Sequence, residues 1–282
     1  MRALKTIWAA ARRLKGQWRV MAALAAIYAA LLATLFFFVA VTEATAWQIL
    51  LTLCFAALAP ILFFLLQAMM VNYARGETRA ASLLRRSFTD SCKLALASVP
   101  LALAVMLALY FLNKLQPAAH IWTPQTTPLE SSYGQPPDNG PTASLRWMFV
   151  AWTTARFLLC YVALPLVAVQ LWSAVAREGL LPAIKRARHH LARAFAPDAV
   201  LTYAVGLLLF GFVPYVLIFM HTPAARQSVE FGLFIARLLL VFVFTLYGWT
   251  LTLDALAGAA AVGAGALATP ATTATNAEAA TS

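Results

Sequence analysis

Six long apolar runs divide the chain, and most of its charged residues are confined to the segments between them. The runs cover residues 20–41, 46–71, 92–112, 147–172, 199–220 and 231–253. A helix rising about 1.5 Å per residue needs roughly 20 apolar residues to cross the hydrocarbon of a bilayer. The pattern therefore predicts an all-α, polytopic membrane helix bundle with about six transmembrane helices. Four of the runs contain a proline: Pro60, Pro100, Pro165 and Pro214. A proline removes a backbone hydrogen bond and bends a helix. In a membrane it either shapes packing or breaks a helix beside a midplane cavity.

A second periodicity lies outside the runs. In residues 3–18, Leu4, Ile7, Trp8, Ala11, Leu14 and Trp18 share a helical face, with most basic residues on the other. Residues 78–90 set Leu83, Leu84 and Phe88 opposite Arg85 and Arg86. Residues 179–195 align Leu180, Ile184, Ala187 and Leu191, with Phe195 one turn on, beside Lys185, Arg186, Arg188 and Arg193. Pro182 fits only in the first turn of that helix. Helices of this kind lie in the headgroup plane or pack as solvated basic helices on the end of a bundle.

The distribution of Lys and Arg orients the chain. Sixteen fall before the first run, between the second and third, and between the fourth and fifth, counting Lys93 at the start of the third. Three (Lys114, Arg146, Arg226) fall in the other connections, and Arg156 and Arg237 lie inside runs. Basic loops stay on the cytoplasmic side. Both termini are therefore expected in the cytoplasm, with residues 1–19 as a basic amphipathic helix and 20–256 as the transmembrane domain. Residues 114–146, with six prolines, form an extracytoplasmic loop, and 257–282, almost all Ala, Gly and Thr, a disordered tail. The basic start and Ala44-Thr45-Ala46 resemble a cleavable signal, but the first run is longer than the roughly 7–15 residues of a signal core; it reads as an uncleaved helix.

Composition narrows the function. The chain is 62% hydrophobic and 11% charged, with a net charge of +11 and a mean hydropathy of +0.78. Soluble domains carry about 25% charged residues, so the solvent is a bilayer. The basic excess follows the loops and does not indicate nucleic acid. Cys54, Cys92 and Cys160 lie far apart with no Cys/His pairing and read as small packing residues. No nucleotide-binding, zinc-protease or serine-hydrolase motif occurs, and His189-His190, being adjacent, diverge on a helix. Neither a metal nor a cofactor is expected, nor catalysis.

Arg156 and Arg237 share similar contexts, Thr-Ala-Arg-Phe-Leu-Leu and Ile-Ala-Arg-Leu-Leu-Leu, at similar depth in two runs of the same direction. They either snorkel to outer headgroups or form a shared site for an anion or lipid. No carboxylate lies within a run, which argues against a proton- or cation-coupled transporter; Glu43, Glu230 and Asp254 sit at the edges. The remaining basic residues, above all Arg85, Arg86, Lys185, Arg186, Arg188 and Arg193, would form an interfacial collar for anionic headgroups.

A weak internal echo repeats after 102–103 residues. Gln67 precedes Ala-Arg-Gly-Glu, and Gln170 precedes Ala-Arg-Glu-Gly, each followed by a basic stretch. The segment LPLVAVQLWSAVAREGLLPAIKRARHHLARAF, with VGLLLFGFVP in the next run, resembles the bacterial six-helix membrane domain found with some glycerophosphodiester phosphodiesterases and its stand-alone relatives. The resemblance covers about residues 160–220 and, faintly, 60–112. It implies a fold but no activity, because the catalytic barrel of those enzymes has no counterpart here. The expected role is a non-enzymatic scaffold, assembly partner or lipid-interacting accessory of a bacterial inner membrane. The alternative is a carrier or channel for an anionic or amphiphilic solute.

The topology is checked by labelling single cysteines from outside intact cells. Positions within 114–146 should react, and positions within 75–93 and 177–195 should not. Labelling of either basic loop would reverse the orientation.

Overall fold

The computed structural model describes residues 2–41, 45–114, 143–219 and 227–268. Among them it is helical, without strands: α1 (Arg2–Lys15), α2 (Trp18–Ala40), α3 (Ala46–Ala74), α4 (Ala80–Lys114), α5 (Ala143–Phe157), α6 (Leu164–Glu178), α7 (Leu180–Lys185), α8 (Ala187–Ala194), α9 (Pro197–Leu207), α10 (Val213–Phe219) and α11 (Gln227–Ala268). Six helices are long and apolar enough to cross a membrane, over Trp18–Ala40, Ala46–Ala74, Ala80–Lys114, Trp147–Glu178, Pro197–Phe219 and Ser228–Gly258. The chain is a multi-pass membrane protein with an all-α fold.

Two of the four prolines coincide with wide helical turns. The π-turn Leu158–Ala163 joins α5 to α6 just before Pro165, and Leu208–Phe212 joins α9 to α10 just before Pro214. A proline cannot donate and its ring collides with the carbonyl four residues back, so an extra residue in the preceding turn relieves the clash. Pro60 and Pro100 sit in helices that continue unbroken.

Three boundaries differ from expectation. Residues 80–90 are not a separate surface helix but the first turns of α4, which runs unbroken into its apolar part; Leu83 and Ser87 there are fully buried and anchor it. The 179–195 stretch is two helices, α7 and α8, bent at Arg186, whose guanidinium turns back to Glu178 at 3.2 Å. Finally, α11 continues to Ala268, into the Ala-rich stretch expected to be unstructured; alanine is the best helix former. The rest of that tail and nearly all of the proline-rich 114–146 segment lie outside the described residues.

The chain forms two compact units: residues 1–98 with 166 onward, and Val99–Pro165. In the smaller unit, Trp152 Nε1 on α5 donates to the carbonyl of Leu112 on α4 at 2.9 Å. In the larger unit α11 is the hub, touching α1, α2, α3, α9 and α10. Its approach to the α9–α10 segment depends on glycine. A Cβ at Gly248 would overlap Phe210, and one at Gly206 would overlap Thr252. Small residues let membrane helices approach closely where no hydrophobic effect drives them together.

Burial in the larger unit is concentrated toward one end. Residues 65–73, 168–175 and 251–257 are continuous buried stretches, whereas Phe36, Val39, Trp47 and Leu53 are open. Asn72 Nδ2 links the end of α3 to Asp90 on α4, Arg13 on α1 is paired with Asp254 on α11, and Arg177 on α6 donates to the carbonyl of Ala257. The ends of α3 and α6 and the Asp254–Ala257 part of α11 therefore meet the start of α4 and the body of α1 at this basic end.

Replacing Gly248 with Val should lower the melting temperature in detergent by at least several degrees, since Phe210 and the α9–α10 turn must move. Gly258→Val, where a Cβ meets open space, is the control. Equal melting of the two variants would mean that the glycine contact does not hold the helices together.

Candidate functional site

The basic end is built on two glycine turns. α3 ends with Gly76 at φ 97°. The N–H of Gly76 bonds the carbonyl of Tyr73 at 2.9 Å and that of Glu77 the carbonyl of Asn72 at 3.2 Å. This paired closure satisfies carbonyls that the helix end leaves bare and requires a left-handed residue. α6 ends at Gly179, φ 89°. Both glycines fall within the strings that the sequence echo pairs, third in Ala74-Arg-Gly-Glu and fourth in Ala176-Arg-Glu-Gly. Gln67 and Gln170, also aligned, are both buried. The two echoing segments then diverge, because Gly76 leads into one long helix and Gly179 into two short ones.

Asn72 organises the interior of this end. Its Nδ2 donates to Ser87 Oγ and Asp90 Oδ2, both at 3.2 Å, while its Oδ1 accepts from Arg75 Nη1 at 3.2 Å. Asp90 also accepts from Lys93 Nζ at 2.8 Å and stands 3.9 Å from Arg86 Nε. A buried carboxylate of this kind needs several donors, and it fixes the cations around it. Between this part of α4 and the turn after α6 lies a cleft of about 470 Å³, lined by Arg86, Thr89, Asp90 and Lys93 on one wall and by 175–179 on the other. Arg75 lies close by. Burial lowers its pKa first, and nearby Arg86 and Arg177 lower it further against the opposing pull of Asp90.

A second link is the pair of Arg13 and Asp254, in which the single nitrogen Nη2 of a half-exposed Arg13 donates to both oxygens of the buried carboxylate. Asp254 is 2% exposed, well inside α11. The expectation of a carboxylate at the edge of a run therefore gives way to one enclosed by helices. This pair, with Ile7, Ala10 and Leu14 buried, fixes α1 to the bundle. Trp249 Nε1 donates to Gln67 Oε1 at 2.9 Å, and Trp172 Nε1 to Ser98 Oγ at 2.9 Å. None of Asn72, Asp90 or Gln67 stood out as a site residue in the sequence, and Arg177 did so only as one of the many basic residues of the collar. The available signal was scarcity: with 10 acids against 21 bases, an acid in or beside an apolar run is a candidate for pairing.

The predicted site residues separate into groups. Arg156 is exposed in the smaller unit, its guanidinium 5.6 Å from the centre of the Trp152 ring. Arg237 is half-buried on α11 in the larger unit. The first arrangement fits a snorkelling side chain resting on an aromatic. Of the collar, Arg85, Lys185 and Arg188 are exposed; Arg86 lines the cleft; Arg186 is paired with Glu178. Arg193 is half-buried, its Nη2 enclosed without a hydrogen-bond partner, and burial, then Arg177, lowers its pKa. Around them Trp8, Trp18, Phe88, Leu181 and Phe195 present exposed apolar surface. Arg12 lies 6.0 Å from the Trp8 ring and Arg19 5.6 Å from that of Trp18.

Among the described residues no group of His, Cys, Asp and Glu could hold a metal ion, and all three cysteines are free. Compared with known protein families, with curated proteins and with solved structures, the chain matches none.

His190 gives this end a pH dependence. Its Nε2 is buried without a partner. Burial pushes its pKa below the usual value; Glu178 opposes, and His189, Arg193 and Arg186 add to the lowering. The folded protein thus favours neutral imidazole. The stability that this contributes is full above the unfolded value of about 6.5 and is lost as the pH falls below it, because the unfolded chain then binds the proton more readily. The melting temperature of the purified protein should therefore drop from pH 7 to pH 5, and His190→Gln should flatten that drop. Parallel pH profiles would show that His190 is not a contributor.

Proposed function

We propose that the chain is a non-enzymatic accessory of a bacterial cytoplasmic membrane, with both termini in the cytoplasm, that gathers anionic lipid through its basic end. One observation carries this reading. Exposed cations and exposed aromatic or aliphatic side chains alternate around one end of the larger unit, on α1, the start of α4, and α7–α8. Leu181 is 72% exposed and Phe88 64%, each beside basic residues. In water such side chains would be a liability; at a headgroup interface the rings and leucines enter the acyl boundary while the cations meet phosphates.

The arrangement also favours a fixed collar over detached surface helices. α1 is held by the Arg13–Asp254 pair, and α7 and α8 each bury an alanine, Ala183 and Ala194, completely. The short side chains face the bundle and the large apolar ones face outward. Cations fixed at the surface bind without the entropy cost of ordering a loop. The resemblance to membrane domains that accompany glycerophosphodiester phosphodiesterases is compatible with a lipid-facing accessory role.

Neutralising Arg85, Lys185 and Arg188 together by glutamine tests the collar. Each basic residue near an anionic leaflet is worth about 1 kcal/mol. Half that value for imperfect placement predicts a roughly tenfold loss of preference for phosphatidylglycerol over phosphatidylcholine. Spin-labelled lipids in nanodiscs report the preference directly, and binding of the zwitterionic lipid should stay constant. An unchanged preference would rule the collar out.

A further inference from the structure

The cleft between α4 and the turn after α6 has a chemistry distinct from that of the exposed collar. Its two carboxylates are already engaged, Asp90 with Asn72, Lys93 and Arg86, and Glu178 with Arg186. Its three cations, Arg86, Lys93 and Arg177, outnumber them, and Arg75 adds a fourth positive charge alongside. Arg86 and Lys93 are about half exposed, so they are positioned from below by Asp90 but open to the cleft. Arg193, which feels the charge of Arg177, adds to the positive charge on this side, and its own Nη2 is enclosed without a partner. Gly179 closes the far wall without a side chain.

We infer that this cleft binds a phosphate group, carried either on a lipid headgroup or on a small phosphorylated solute. Guanidinium groups offer paired N–H donors that match phosphate oxygens, and a lysine adds a compact charge. A volume of about 470 Å³ lies within the roughly 300–1,000 Å³ of small-molecule clefts, enough for a phosphate together with its glycerol. A phosphate offsets the excess charge that neither Asp90 nor Glu178 neutralises. The inference deepens the lipid-gathering reading and rests on residues outside the collar of Arg85, Lys185 and Arg188.

Native mass spectrometry of the full chain in detergent tests it with three probes: phosphatidic acid, diacylglycerol with the same acyl chains, and glycerol 3-phosphate. The wild-type protein should retain phosphatidic acid at least tenfold better than diacylglycerol. Lys93→Gln with Arg177→Gln should remove that difference while leaving diacylglycerol retention constant. Lys93→Gln alone should give a partial loss, and Arg177→Lys should keep most of the difference, which separates lost charge from lost folding. Displacement of phosphatidic acid by glycerol 3-phosphate identifies a soluble phosphate ester as the occupant; resistance to it identifies the lipid. Equal retention of phosphatidic acid and diacylglycerol by the wild type overturns the site, as does full retention by the double variant. The collar variant should keep the bound phosphatidic acid, so failure of the collar and failure of the cleft give different results.

Discussion

Helices in lipid gain little from hiding apolar surface, because the acyl chains are as apolar as leucine; close backbone approach and polar links must hold them together instead. The larger unit follows that constraint. Its links are few and specific: Arg13 to Asp254, Gln67 to Trp249, Asn72 to Ser87 and Asp90, Trp172 to Ser98, Tyr28 to Thr245. Several other hydroxyls bond their own helix: Thr34, Thr202 and Thr250 each donate to the carbonyl four residues back, which satisfies a donor without a second helix. The Tyr73 hydroxyl, by contrast, is buried without a partner.

Most of these links lie toward the basic end, and their placement has a consequence for function. Enclosing a carboxylate such as Asp90 or Asp254 is unfavourable unless cations and donors surround it. Arg13 balances Asp254 one for one, whereas Arg86 and Lys93 around Asp90 carry more charge than that single acid neutralises. The same residues that close the helix bundle therefore create a positively charged, rigid floor. Packing and an excess of positive charge at this end are two results of one arrangement, and the proposed anion binding would draw on the second.

Much of this was legible in the pattern of apolar runs. Spans and fold class follow from length and hydropathy, because a bilayer imposes a simple requirement on each segment. The echo marked the stretches that hold Gly76 and Gly179 but not their role as helix ends, which needs a residue that takes a positive φ cheaply. The cleft was not legible. It joins Asp90 to residues 175–179 across more than eighty positions, and no periodicity in either segment announces the other. Asp254 escaped for a related reason: its position past the last apolar run suggested an edge, whereas α11 continues beyond it and α1 folds back to cover it. Amphipathic patterns marked helical segments outside the spans but not which of their faces meets protein. In α7 and α8 the buried residues are Ala183 and Ala194, not the leucines.

The proline-linked π-turns weigh on the choice between an accessory and a carrier. A wide turn in a membrane helix serves as a hinge when the space it opens is empty or filled with water. In the α9–α10 segment the turn Leu208–Phe212 instead sets Phe210 against the bare backbone of Gly248, and Gly206 meets Thr252 in the same interface. The irregularity is consumed by packing. The small cavity that remains there, about 210 Å³, is bordered by Tyr203, Thr245 and Trp249 and contains no charged wall. An anionic solute would find no counter-charge in it, whereas the basic end offers several. Most of the cations of this unit gather at its basic end and none lines this cavity, which supports the proposed lipid-gathering role over carriage of an anionic solute through the α9–α10 segment.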